Sequence, residues 1–122
     1  MSRRREFGQA GSPRVQAPVF AALGDSTRLQ LISKLCLGEP CSIVELTEDF
    51  KLTRQAITKH LRVLETVGLV QGERRGREIL FQLVPEPLEK AKAYLDQVAA
   101  QWEQALGRLK SFVEADRRGK TD

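Results

Sequence analysis

The chain has 122 residues, 41% of them apolar and 30% charged, with a formal net charge of +4. That is the size of one small domain, and no run approaches the roughly 18 consecutive apolar residues of a membrane helix, so no membrane partner is expected. Two cysteines, Cys36 and Cys41, are too few and too close for a disulfide framework and favour a reducing cytoplasm.

Residues 1–14 carry Arg3, Arg4 and Arg5 with no apolar run behind them, and read as a disordered basic leader, not a secretory signal. Residues 15–23 suit a short helix from about Pro18, since proline fits a first helical turn. Gly24 breaks it. Asp25 can cap a second helix with Leu29, Ile32 and Leu35 on one face. Gly38-Glu39-Pro40 reads as a turn. Ser42 and Glu45 have the spacing of a capping box, each satisfying the other's exposed N–H. The box opens a short third helix that turns Leu46 and Phe50 inward, and Lys51 and Leu52 make a tight connection onward.

Residues 52–68, LTRQAITKHLRVLETVG, form the fourth helix. Thr53 can cap it and Gly68 can end it in the left-handed conformation. At about 100° per residue, Ala56, Ile57, Leu61, Val63, Leu64 and Val67 fall on one side. Arg54, Gln55, Thr58, Lys59, Arg62, Glu65 and Thr66 fall on the other. That second face holds three cations before its first acid, Glu65, a bias that suits a polyanion better than it suits water. Two short helices in tandem, the second with a basic outer face, make a helix-turn-helix.

After Gly68 the period changes. Residues 78–84 alternate as a strand, and residues 69–74 can pair with it across Arg75-Gly76. The tip of this two-stranded hairpin would carry Arg74, Arg75 and Arg77, a basic wing beside the fourth helix. Pro85 should end the strand, and Pro87 suits the first turn of a last helix at about 88–115, roughly 40 Å long. Leu88, Ala91, Leu95, Val98, Trp102, Ala105, Leu109 and Phe112 recur along it at alternating steps of three and four, a seam for another helix. A second copy of the chain is the expected cover, with Leu88, Leu95, Val98, Trp102 and Leu109 at the interface. Residues 117–122 read as a polar tail, leaving 15–116 as the folded domain. Charge follows the same division. Residues 51–77 hold seven Lys/Arg against two acids, whereas 85–116 hold four against six. The excess sits where nucleic acid would be met.

The runs FAALGDSTRLQLISKL, LTRQAITKHLRVLETVGLV and GREILFQL resemble the arsenic-repressor (ArsR/SmtB) family of bacterial winged-helix regulators, over residues 15–112. The resemblance implies a mainly α fold of about five helices with a two-stranded wing, and a homodimer built from the first and last helices. It implies a dimeric repressor occupying a promoter of two-fold symmetry, with the fourth helix in the major groove of double-stranded DNA. Carried onto this sequence, the base-reading positions are Thr53, Arg54, Gln55, Thr58 and Lys59, while Arg62 and the wing arginines would hold phosphates. Metal-sensing members carry a Cys-x-Cys pair in the third helix, or Asp/His and His/Glu pairs in the last. Here Val44 replaces the second thiol, the last helix has no histidine, and the sole histidine, His60, lies on the apolar arc of the fourth helix. The ending QWEQALGRLKSFV is similar to the metal-independent branch, so no metal or other cofactor is expected.

Nothing resembles an enzyme: there is no Gly-rich phosphate loop and no nucleophile with a base. Two other readings stay open, a thiol-based redox sensor using Cys36 and Cys41, and a winged helix used only for protein–protein assembly. Trp102 could instead line an effector pocket at the dimer interface, and a basic leader could grip a minor groove.

Overall fold

A computed structural model describes residues 12–120. Helix α1, Pro13–Leu23, begins earlier than its apolar pattern suggests. Ser12 caps it, accepting the Val15 amide on Oγ at 3.3 Å, and Pro13 takes the first position, where its missing N–H costs nothing. The start expected near Pro18 is therefore corrected, and so is the end of the leader. Pro18 lies within α1 and removes one early helical bond. Residues 1–11, including Arg3, Arg4 and Arg5, lie outside the described residues.

Helix α2, Ser26–Leu35, is capped by Asp25, whose Oδ2 accepts the Arg28 amide at 3.0 Å. It buries Leu31, Ile32 and Leu35, while Leu29, expected on the inner face, is exposed. The strand β1, Cys41–Ser42, leads directly into α3, Ile43–Phe50. The Ser42–Glu45 capping box forms in both directions, at 3.2 and 3.0 Å. Lys51 ends α3 in the left-handed region (φ 54°), which turns the chain sharply into α4, Arg54–Thr66.

Helix α4 is capped as its sequence predicts. Thr53 Oγ1 accepts the Ala56 amide at 3.1 Å. At the other end Gly68 has φ 80°. Its N–H meets the Glu65 carbonyl at 3.0 Å and the Leu69 N–H meets that of Leu64 at 3.0 Å. These two bonds make a Schellman motif, and its apolar pair, Leu64 and Leu69, is fully buried.

The wing comprises β2, Val70–Arg75, and β3, Glu78–Leu83, with Arg75 opposite Glu78. The turn is thus Gly76-Arg77, one residue later than expected. Gly76 carries the positive φ (62°) that the first position of a two-residue hairpin requires. The sheet also has a third strand that the sequence reading missed. β1 pairs antiparallel with β3, Cys41 opposite Phe81, giving the order β1-β3-β2. Two residues are too short a stretch to show an alternating pattern.

Helix α5 runs Pro85–Lys120, about 54 Å at 1.5 Å per residue. Pro85 opens the helix rather than merely ending the strand, and 117–120, expected as tail, continue it. The core gathers Leu31, Leu35, Leu46, Ile57, Leu61, Leu64, Leu69 and Val70 between the helices and the sheet. Only the start of α5 joins it, through Ala91 and the half-buried Leu88. Phe20 of α1 lies against Tyr94, ring centroids 6.0 Å apart. Beyond them Leu95, Val98, Trp102, Leu106, Leu109, Phe112 and Val113 are exposed.

Candidate nucleic-acid interface

The buried face of α4 fixes what its other face can do. With Ile57, Leu61 and Leu64 locked in the core, Arg54, Gln55, Thr58, Lys59 and Arg62 must project outward. Together they line one shallow, open depression of about 400 Å³. Among the described residues, no ion pair engages Arg54, Lys59 or Arg62. A cationic strip without internal counterions keeps its full field for an external anion.

Two hydroxyls on this helix are already committed. Thr53 Oγ1 serves as the cap, so its main contribution is to start the helix. Thr58 Oγ1 donates to the Arg54 carbonyl at 2.8 Å, which leaves its methyl as the group free for contact. Gln55, with no such bond, keeps both its amide donor and its acceptor outward, the arrangement that matches the major-groove edge of adenine.

The wing reaches the same side through two recesses. Arg74 shares one, of about 320 Å³, with Thr58, Arg62, Gly72 and Ile79. Arg77 shares a smaller one, of about 120 Å³, with Arg54, Val44, Glu78 and Ile79. Helix and hairpin thus form one surface on which Arg54, Arg62, Arg74 and Arg77 outnumber the acids Glu65 and Glu78 in the two recesses. Arg75 lines neither recess. It alternates to the other side of β2 and stands 3.8 Å from Glu73. The sequence reading missed Val44 and Ile79, half exposed at 50% and 42%. They meet Arg54 and Arg77 only because β1 brings the first turn of α3 beside β3.

His60 is placed behind this surface, not on it. Its Nδ1 lies 3.2 Å from Arg28 Nη1 and 3.8 Å from Asp25 Oδ2. Arginine has no acceptor, so the imidazole nitrogen accepts. Arg28 also donates from Nε to the Ala22 carbonyl at 2.6 Å. The backbone bond from Arg28 holds the Asp25 carboxyl below its ordinary value.

The two cysteines stand in different settings. Cys41 is buried, burial pushes its thiol up, and its Sγ donates to the Glu39 carbonyl at 3.5 Å. Cys36 is exposed at the end of α2. Among the described residues no three His, Cys, Asp or Glu side chains converge as a metal requires.

A helix pair with a basic outer helix, followed by a basic hairpin, defines a winged helix-turn-helix transcriptional regulator. The profile described as "Bacterial regulatory protein, arsR family" matches residues 25–71. The HTH-type transcriptional regulator YuzN of Bacillus subtilis (strain 168) is 42% identical over 77 residues, 58% of this chain and 84% of that protein. The HTH-type transcriptional regulator Rv2034 of Mycobacterium tuberculosis (strain ATCC 25618 / H37Rv) is 32% identical over 97 residues, covering 80% and 87%. Among solved structures, an ArsR-like transcriptional regulator from Rhodococcus sp. RHA1 superposes with a TM-score of 0.73 at 35% identity, covering 84% of this chain and 94% of that one. The chain belongs to the arsR family of bacterial regulatory proteins.

Proposed function

We propose that the protein is a homodimeric repressor that binds a two-fold operator in double-stranded DNA, without a metal. One observation carries this reading: the outer face of α4 presents Arg54, Lys59 and Arg62 with no ion-pair partner, continuous with Arg74 and Arg77 of the wing. Gln55 reads adenine at the major-groove edge and the Thr58 methyl meets thymine. Lys59, Arg62 and the wing arginines, Arg75 included, hold phosphates and set register. Arg54, at the start of the helix, hydrogen-bonds a guanine edge. Occupancy of the promoter excludes polymerase, which makes the output repression.

The dimer is supported by the stripe on α5, where Leu95, Val98, Trp102 and Leu109 are exposed among the described residues of one chain. Leu88 is half-buried in its own core and would border that interface. A two-fold pair sets the reading helices about 34 Å apart, one turn of duplex. Metal independence is supported by the scattered donors. The same burial of Cys41 opposes a Cys36–Cys41 redox switch, since a raised thiol is a poor nucleophile.

The test is selection of bound fragments from the source genome, followed by gel-shift titration of the recovered duplex against random duplex. Gln55→Ala should lose about 1–3 kcal/mol of preference for the recovered site and keep its random-duplex affinity. Equal, weak binding of the wild type to both duplexes would favour a protein-assembly role instead.

A further inference from the structure

The recess between α4 and the wing tip joins two cations from different elements to two apolar side chains that the DNA-binding reading leaves unused. Arg54 and Arg77 enter it from different elements, the first position of α4 and the second position of the hairpin turn. Val44 and Ile79 also line it, and both stay largely exposed although they are apolar. Ser42 also lines it but is buried, and its Oγ already accepts the Glu45 amide in the capping box. Glu78 is the only acid among the lining residues, so the recess keeps a net positive charge.

Its size suits a small group. At about 120 Å³ it has room for one phosphate group. The chemistry agrees with that size. Guanidinium forks match phosphate oxygens bidentately, and a deoxyribose beside the phosphate presents carbon-bound hydrogens to aliphatic side chains. A base edge would ask instead for a single planar donor pair reaching into the groove.

We propose that this recess seats one sugar–phosphate unit of the DNA backbone, with Arg54 and Arg77 sharing a single phosphate and Val44 and Ile79 meeting the sugar. This rests on the DNA-binding reading above and changes the role of Arg54 within it, from base reader to half of a two-element clamp. The clamp ties the wing to the start of the reading helix, so that one phosphate fixes the register of both.

The experiment is a double-variant cycle on the full chain, using Arg54→Ala, Arg77→Ala and the pair, with the recovered operator and a random duplex of equal length. Both side chains are exposed, so the variants should unfold at the wild-type temperature. Each single change should weaken both duplexes by the same factor, about tenfold or more for a charged hydrogen bond. The pair should weaken binding by less than the product of the singles. Its log–log salt slope should fall by about 0.9 per bound protomer, the value for one phosphate. A second readout uses operators with one neutral methylphosphonate linkage moved stepwise along the strand. At one position per half-site it should weaken the wild type and leave the double variant unaffected.

Selective loss of the operator by Arg54→Ala would make Arg54 a base reader and overturn the clamp. Multiplying losses with a slope change of about 1.8 would place the two arginines on separate phosphates and overturn it as well. In both cases loss of operator preference by Gln55→Ala would leave the DNA-binding reading standing. A wild type that binds neither duplex would overturn both.

Discussion

Truncating Trp102 to alanine should weaken the proposed dimer. The indole is 64% exposed in one chain. An aromatic side chain offers about 150–250 Å² of surface, so about 100–160 Å² of Trp102 awaits cover. At about 25 cal/mol per Å², covering it contributes about 2.5–4 kcal/mol per chain. A two-fold interface uses the residue twice, for about 5–8 kcal/mol per dimer. Side-chain ordering and incomplete burial reduce that figure. Half of it still raises the dimer Kd on the order of 10²- to 10³-fold at about 1.4 kcal/mol per decade. Sedimentation equilibrium of Trp102→Ala against wild type across nanomolar to micromolar concentrations measures the shift. Leu37→Ala removes another exposed apolar side chain, on the turn after α2 and outside the α5 stripe, and should leave the Kd unchanged. An unaltered Kd for Trp102→Ala, or a wild type monomeric at micromolar concentration, would refute the assignment of α5 as the dimer seam.

Three further outcomes follow from local geometry. Gly72→Ala should lower the melting temperature, because its Cβ would stand 2.9 Å from Ile79 Cγ2 and 3.0 Å from Phe81 Cε1. Overpacking of this kind costs about 1–3 kcal/mol, more than removing a glycine from a strand returns, so an unchanged or higher melting temperature would contradict the packing. Arg75→Ala should weaken binding to every duplex alike and reduce the salt slope by about one unit per protomer. It should leave thermal stability unchanged, since its contact with Glu73 is a surface pair. Asp25 has a folded value below its ordinary 3.8, so its stabilisation is complete above that value and disappears as pH falls through the lowered one. Denaturant midpoints of the wild type should therefore drop in that acid window more steeply than those of Asp25→Ala.

The parts of this fold that were legible are those whose signal lies within a few residues. Thr53, Gly68 and the Ser42–Glu45 pair each act on amides no more than a turn away, and all three bind as their spacing says. The outward set on α4 was equally readable, because burying Ile57, Leu61 and Leu64 leaves no other place for Arg54, Gln55 and Lys59. What escaped depends on partners distant in sequence. The β1–β3 pairing joins residues about 40 positions apart, and with it went the placement of Val44 and Ile79 beside Arg77. Leu29 looked like a core position because the three-residue step from Leu29 to Ile32 to Leu35 is helical, yet Leu31 is the residue that faces inward. The ends of α1 and α5 were misplaced for a simpler reason. Ser12-Pro13 is a start signal ahead of the helix's first aliphatic residue, Val15, and the polar segment 117–120 continues a helix without adding an apolar residue to its seam.

The position of α4 in the fold is held from behind by a residue outside the helix-turn-helix pair. Arg28 takes the Ala22 carbonyl at the end of α1 and His60 in the middle of α4, while Asp25 fixes its backbone at the start of α2. One side chain therefore pins three helices. Because Arg28 can only donate, the contact requires the neutral imidazole with its proton on Nε2. Helix α1 in turn rests on α5 through Phe20 and Tyr94. A continuous packed line thus runs from the exposed stripe on α5, through α1 and Arg28, to the reading helix. In the proposed dimer the separation of the two reading helices is fixed along that line. If that dimer binds a two-fold operator, the spacing it accepts depends on Arg28 and His60, which lie behind the proposed DNA-facing surface, as much as on the interface itself.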